Sequence, residues 1–211
     1  MSSAAVKPAR ISIQEYYRIE RDAVEKSDWF DGEMFNMAGG TTNHSAVKTN
    51  LLGLLVAALR KRPCRPLDSD QRLKILSNDL RTYPDASVYC GPIQYDEEDA
   101  GGTTATNPAV LFEVLSDSTE AYDRGLKAES YRQIASLRAY VLISQHAPHV
   151  ELFERLGDDA WRLREAKGLE ASLRLEAIDV TLSLAELYDR VEFPEKKPGS
   201  TFPGESHGTQ S

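Results

Sequence analysis

Two carboxylates stand in unusual surroundings. TYPDASVYCG (82–91) contains a Pro84-Asp85 pair just ahead of an apolar segment, and AVLFEVLSDST (109–119) carries Glu113 inside an apolar run. A charge among Val, Leu and Phe is costly unless something binds it, so Glu113 calls for a metal ion or a cationic partner. Strand alternation puts Asp85 on one face with Ser87 and Tyr89, and Glu113 on one face with Leu111 and Leu115. If the two strands pair, both acids point to the same side at the same level. Such an oxygen-rich pocket suits a hard divalent ion, and Mg2+ is content with one or two carboxylates plus water and phosphate. An ion held there would polarise a phosphate oxygen, acidify a water and stabilise a leaving oxygen. Two plainer readings stand beside this one. Pro84-Asp85 also fits turn chemistry at a strand entry, and Glu113 also fits a structural ion pair with Lys or Arg.

Lys127 follows Glu113 by fourteen residues. Placed on the next helix, its tip could reach back over the strand end and orient or activate an attacking water. An Asp123–Lys127 surface pair at i,i+4 spacing explains the same residues less ambitiously. Tyr131, one turn further on, reads as packing.

The elements that must position these groups follow from caps, breakers and periodicity. SIQE (12–15) is a capping box, and it predicts a helix over 12–25. Asp31-Gly32 lies between two short apolar segments and marks a tight hairpin. After Gly39-Gly40, one of Thr41, Thr42 or Asn43 caps a long helix to about Arg62, with Val47, Leu51, Leu54, Leu55 and Ala58 facing inward. Strands are expected at 70–76, 85–90 and 109–115, with the acidic segment 91–108 as an exposed loop. A helix over 119–136, an apolar central strand at 139–144, a hairpin around Gly157-Asp158 and a short helix opened by SLAE (183–186) complete the order. This makes an α/β or α+β single domain with a mixed sheet backed by helices. Its expected extent is 11–192, between a flexible N-terminus (1–10) and a disordered tail (193–211) rich in Pro, Gly, Lys and Ser.

Composition narrows the setting. A chain of 211 residues with 41% hydrophobic and 27% charged residues suits one soluble domain. Its longest apolar stretch, in TNLLGLLVAALRKR, is too short to span a membrane. Residues 1–9 have no signal-peptide core. Two cysteines, Cys64 and Cys90, are too few for a disulfide framework or a zinc site, so a reducing cytoplasm is the default. The net charge of −8 counts against a protein that coats nucleic acid.

Proline–aspartate at a strand start followed by glutamate inside an apolar strand resembles the PD-(D/E)XK nuclease superfamily. YPDASVYCG, LFEVLSDST, YDRGLKAESY and the upstream FDGEMFNMAGGTTNHS together resemble the Uma-two family of restriction-endonuclease-like proteins, across roughly residues 11–190. The resemblance implies a restriction-endonuclease-like mixed central sheet flanked by helices and Mg2+-dependent hydrolysis of DNA phosphodiesters, with Mn2+ able to substitute. Carried over, Asp85 and Glu113 become metal ligands. The superfamily lysine two residues after the glutamate is replaced by Leu115, and Lys127 in DRGLKAESY takes its place. Glu33 is a candidate third acid reaching the metal directly or through water, or equally a solvated hairpin residue, and His44 is a phosphate-contacting or proton-transferring group, or equally a structural residue at the helix start. Gln71 is a weaker candidate for the same pocket. Around ASLRAYVLIS the chain keeps Tyr140 but departs from the family's usual glycine and acidic residue, with Ala139 and Val141 there. RKRPCR (60–65) and RGLK (124–127) supply local positive charge for DNA despite the acidic whole. A homodimer is expected by analogy. The competing expectation is a non-catalytic or weakly active nucleic-acid or protein binding module that keeps the fold. A hydrolase of small phosphate esters is the third.

Overall fold

Ser12 and Thr41 start the two N-terminal helices of the computed structural model, which describes residues 10–37, 39–157 and 160–193. Ser12 Oγ accepts the Glu15 amide at 3.2 Å and opens α1 (Ile13–Asp22), and Thr41 Oγ1 accepts the His44 amide at 3.1 Å and opens α2 (Thr42–Leu59). Between them, β1 (Ser27–Phe30) and β2 (Glu33–Asn36) form the expected hairpin. Its turn residues Asp31 and Gly32 have φ of +47° and +82°, the left-handed pair that a two-residue hairpin loop requires. A Cβ at Gly32 would also meet Arg10 Cβ at 2.8 Å, so only glycine fits there. Most of the two expected tails lies outside the described residues. At their inner ends, Arg10 pairs with Asp31 at 2.8 Å and Phe193 packs against Tyr188.

The main sheet has six strands in the order β10-β9-β8-β7-β6-β3. They are β3 (Cys64–Asp68), β6 (Ala86–Cys90), β7 (Val110–Leu115), β8 (Ala139–Ser144), β9 (His149–Arg155) and β10 (Trp161–Lys167). Only β7 and β8 run parallel within it, so the sheet is mixed. Helix α2 covers one face, where Val47, Leu51 and Leu55 meet Val88, Val110 and Phe112. The other face carries α3 (Glu120–Tyr122), a π-helical turn (Asp123–Lys127) and α4 (Ala128–Arg132), with Tyr131 against Leu111, Leu115 and Tyr140. Strand β7 is therefore buried on both sides. A smaller sheet, β2-β1-β5-β4, adds β4 (Leu73–Lys74) and β5 (Arg81–Thr82). Strands β11 (Ser172–Leu175) and β12 (Val180–Ser183) pair beside α5 (Leu184–Leu187). This is the expected fold class, a mixed central sheet flanked by helices. Among the described residues no helix is long and apolar enough to cross a membrane.

Several local expectations need correcting. The strand expected at 70–76 shrinks to Leu73–Lys74, and Cys64–Asp68 forms a strand instead. Pro66 lies in that strand because β3 is the sheet edge, where a missing N–H costs no ladder bond. Cys64 and Cys90 face each other across β3 and β6 and are joined by a disulfide, so the cysteine count no longer argues for a reducing compartment. The acidic loop 91–108 is not simply exposed, since Asp96 and Asp99 are buried. Asp96 is drawn in by two buried cations: it accepts from Lys74 Nζ at 2.7 Å and Arg81 Nη2 at 3.3 Å, while Tyr17 OH donates to it at 2.6 Å. Asp99 accepts from Thr103 and Thr104 and folds the loop onto itself.

Arg81 has no exposed surface and also donates to Glu98 at 2.8 Å and the Asp79 carbonyl at 2.7 Å. This network anchors β5, which pairs with β1 through Trp29 and Arg81 and so fixes one wall of the site. Arg81→Met is expected to lower the unfolding free energy by about 3 kcal/mol, because it strands buried Asp96 beside fewer cations. Urea denaturation monitored by circular dichroism reads this directly.

Candidate active site

The antiparallel register of β6 and β7, Ala86 opposite Phe112 and Ser87 opposite Leu111, extends by one step to set Asp85 opposite Glu113. Two contacts lock the level. The Val114 amide donates to Asp85 Oδ2 at 2.8 Å, and the Asp85 amide approaches Glu113 Oε2 at 3.3 Å. Both acids are buried, and both line a cleft of about 440 Å³ that opens between α2, the β1–β2 hairpin and the start of the α3 segment.

Lys127 reaches this cleft from the π turn. Its Nζ lies 3.0 Å from Glu113 Oε1 and 3.2 Å from Asp123 Oδ1, and 5.4 Å from the Tyr122 ring centre. A π turn is rare and adds a residue to the helical turn. Here its first and last residues, Asp123 and Lys127, are the buried ones. The pairing of Asp123 with Lys127 is thus real but buried rather than a surface contact. Tyr131 does more than pack: its OH donates to Glu113 Oε1 at 2.8 Å.

From the opposite wall, His44 Nε2 lies 3.2 Å from Asp85 Oδ2, and Lys48, one helical turn on, lies 3.8 Å from Asp85 Oδ1. Gly40 gives the imidazole its space, since a Cβ there would meet His44 Nδ1 at 2.7 Å. The structure therefore brings Asp85, Glu113, Lys127 and His44 together. It leaves Glu33 outside: that side chain is exposed beside the hairpin turn, opposite Phe30, and does not line the cleft. Gln71 is also outside, bonded to the carbonyls of Arg72 and Thr103.

The acid that the hairpin does deliver is Asp28. It is buried, and its Oδ2 accepts from Thr82 at 2.9 Å and Tyr122 at 3.1 Å, while Oδ1 has no hydrogen-bond partner. Sequence reasoning missed both Asp28 and Lys48. The available signals were an acid in the apolar arm of the hairpin and the i,i+4 spacing from His44.

Four carboxylates, Asp28, Asp85, Glu113 and Asp123, thus line the cleft with two ammonium groups, Lys48 and Lys127. Burial opposes ionisation of Asp85, yet His44 and the Val114 amide outweigh it and hold the carboxyl below its usual range. Burial pushes the Glu113 carboxyl up to about 8, helped by Asp123 and Asp85 and opposed by Lys127. For Lys127 burial favours the neutral amine, but Glu113, Asp28 and Asp123 prevail and hold its pKa well above the usual value. Excess carboxylate around a permanent cation, with an orphan oxygen on Asp28, is a donor set that a divalent ion fits. Elsewhere, His149, Glu151 and Glu165 hold their ligand atoms within 4.8 Å of one another. Those acids are already engaged, Glu151 by Arg124 at 2.6 Å and Glu165 by Lys167 at 3.0 Å.

The family model for Uma2, described as "putative restriction endonuclease", matches residues 13–185. The chain belongs to the Uma2 family. Two uncharacterized proteins of Synechocystis sp. are similar to this Uma2 chain. One, slr1290, is 35% identical over 177 residues, covering 83% of this chain and 89% of its own length. The other, sll1609, is 32% identical over 170 residues, covering 81% and 95%. A crystal structure from Anabaena variabilis, described as a putative nuclease belonging to DUF820, superposes with a TM-score of 0.66 at 16% identity. The match covers 84% of this Uma2 chain and 97% of that one, and it shows the shared fold.

In metal-free protein the Glu113 proton has a stability consequence. A carboxyl raised in the folded state contributes stability below its unfolded pKa and loses it as pH rises toward about 8. The melting temperature in EDTA is expected to fall between about pH 5 and pH 8. Glu113→Gln should flatten that slope, as read by differential scanning fluorimetry across the range.

Proposed function

We propose that this protein is a divalent-metal-dependent endonuclease that hydrolyses DNA phosphodiester bonds. One observation carries the reading: Asp85 and Glu113 share one level on paired strands, with Lys127 3.0 Å from Glu113, in one open cleft. Family membership and the nuclease-like fold agree with it. Asp85 and Glu113 are the residues that would hold the ion, Mg2+ or Mn2+. When bound, such an ion supplies Lewis-acid polarisation of the phosphoryl group and a more acidic water.

The chain's own residues then have distinct tasks. Lys127 stays an ammonium and so is a donor rather than a base. One N–H donates to Glu113, and the ammonium lies 3.2 Å from Asp123 Oδ1, which has no hydrogen-bond partner. An N–H not given to Glu113 would orient the attacking water and offset charge growing on the phosphoryl oxygens. Tyr131 fixes Glu113 Oε1, and the Asp85 amide approaches Oε2, so the carboxyl is held in one orientation. His44 holds Asp85 from the other wall. Lys48, partly exposed, attracts the substrate phosphate. The cleft is built within one chain, so the expected homodimer is a separate proposal from this chemistry.

Purified protein incubated with supercoiled plasmid and Mg2+ or Mn2+ is expected to nick it. Asp85→Asn, Glu113→Gln and Lys127→Met should each slow nicking by about a hundredfold or more while keeping the wild-type circular dichroism spectrum. Calorimetric Mn2+ titration should show at least about tenfold weaker binding to Asp85→Asn. Equal Mn2+ affinity in wild type and Asp85→Asn, with no nicking by either, would instead favour the non-catalytic binding module.

A further inference from the structure

The cleft has a wall that the hydrolytic groups do not use. Strand β2 runs along its rim, and Phe35 stands directly opposite Asp28 in the hairpin register. Cross-strand partners share a face, so Phe35 is the outward neighbour of the orphan carboxylate. Of the eight large apolar side chains exposed among the described residues, Phe35 is the one lining the cleft. It is 47% exposed and belongs to none of the three apolar clusters. Met37, one residue past the end of β2, lines the cleft as well. Met34, on the opposite face, packs with Tyr16, Tyr17 and Trp29. The hairpin thus has an apolar face against the core and a second apolar ledge against water.

We infer that Phe35 and Met37 form a stacking platform for an unpaired base, so that the substrate is single-stranded DNA or an unpaired segment of it. This rests on the nuclease reading above. Phosphate would lie toward Lys48 and the acids, and the adjoining base would lie flat on the Phe35 ring. Every base offers a π face, so such a contact tolerates any sequence. Charge supports an unpaired strand over a duplex. Among the described residues, Lys48 and Lys127 are the only ammonium or guanidinium groups lining the cleft, and the whole chain carries −8. Duplex binding relies on Lys and Arg neutralising many phosphates, whereas stacking needs few. A volume of about 440 Å³ is also that of a small-ligand pocket rather than a duplex groove.

The test uses fluorescein-labelled single-stranded and duplex oligonucleotides of one sequence, with Mn2+, and wild type beside Phe35→Ala and Phe35→Tyr. The single strand should be cut at least about tenfold faster than the duplex. Phe35→Ala should raise KM for the single strand roughly tenfold, and Phe35→Tyr should restore it. An abasic residue beside the mapped cleavage site should erase the difference between wild type and Phe35→Ala. Cleavage of duplex as fast as single strand, or no effect of Phe35→Ala, overturns the platform and leaves the nuclease reading standing. If the wild type cuts neither substrate, fluorescence anisotropy with Ca2+ decides. Phe35-dependent binding then supports the platform while sinking the nuclease reading, and binding that ignores Phe35, or none, sinks both.

Discussion

The contact between Lys127 and Glu113, 3.0 Å long and closed to solvent on both sides, is the constraint around which the cleft is arranged. A buried carboxylate needs a cation, and a buried ammonium with one carboxylate would be a simple structural pair. Here the ammonium also faces Asp123, and Asp28 and Asp85 lie close enough to act on the same charges. The result is a surplus of carboxyl oxygens at the bottom of an open cleft. A structure that needed only stability would gain from an apolar replacement at these positions. Those oxygens are the donors a divalent ion would draw on.

Each wall of the cleft depends on that arrangement through a different kind of force. The sheet contributes level and spacing, because backbone amides of Val114 and Asp85 hold the two acids in register. The helical segment contributes reach, since the π turn buries both of its ends against β7. The hairpin contributes Asp28 and is itself anchored at a distance by Arg81 and the folded-back acidic loop. That loop illustrates how local composition misleads. Four acids in a row read as solvent-facing, yet two of them are buried: Asp96 because Lys74 and Arg81 need a partner, and Asp99 because it accepts from Thr103 and Thr104 within its own loop.

Local chemistry made much of this legible in the chain itself. Capping residues Ser12 and Thr41, the Asp31-Gly32 turn and the apolar runs of β7 and β8 act over a few residues, and they form where the sequence says. The site was partly legible for a related reason. Glu113 is anomalous against its immediate neighbours, and Asp85 follows a proline that marks a strand start, so both carry a signal in one dimension. Asp28 carries a weaker signal, since an acid in one short apolar hairpin arm also looks like a solvated residue. Glu33 had the same local look and falls outside the cleft, because it stands at the turn end of the hairpin instead of the end that meets Thr82 and Tyr122.

By itself, then, the sequence determined the N-terminal helices and hairpin, the mixed-sheet class and the two strand acids, since helix caps, turn dihedrals and strand alternation depend on near neighbours. The tertiary structure alone decided which distant groups meet. It set Tyr131 on Glu113, Lys48 near Asp85, Cys64 against Cys90 and Asp28 in the cleft in place of Glu33. Those partnerships follow from sheet order, from register and from the π turn in α3–α4. Each is fixed by packing over many residues, which no short stretch of the chain records.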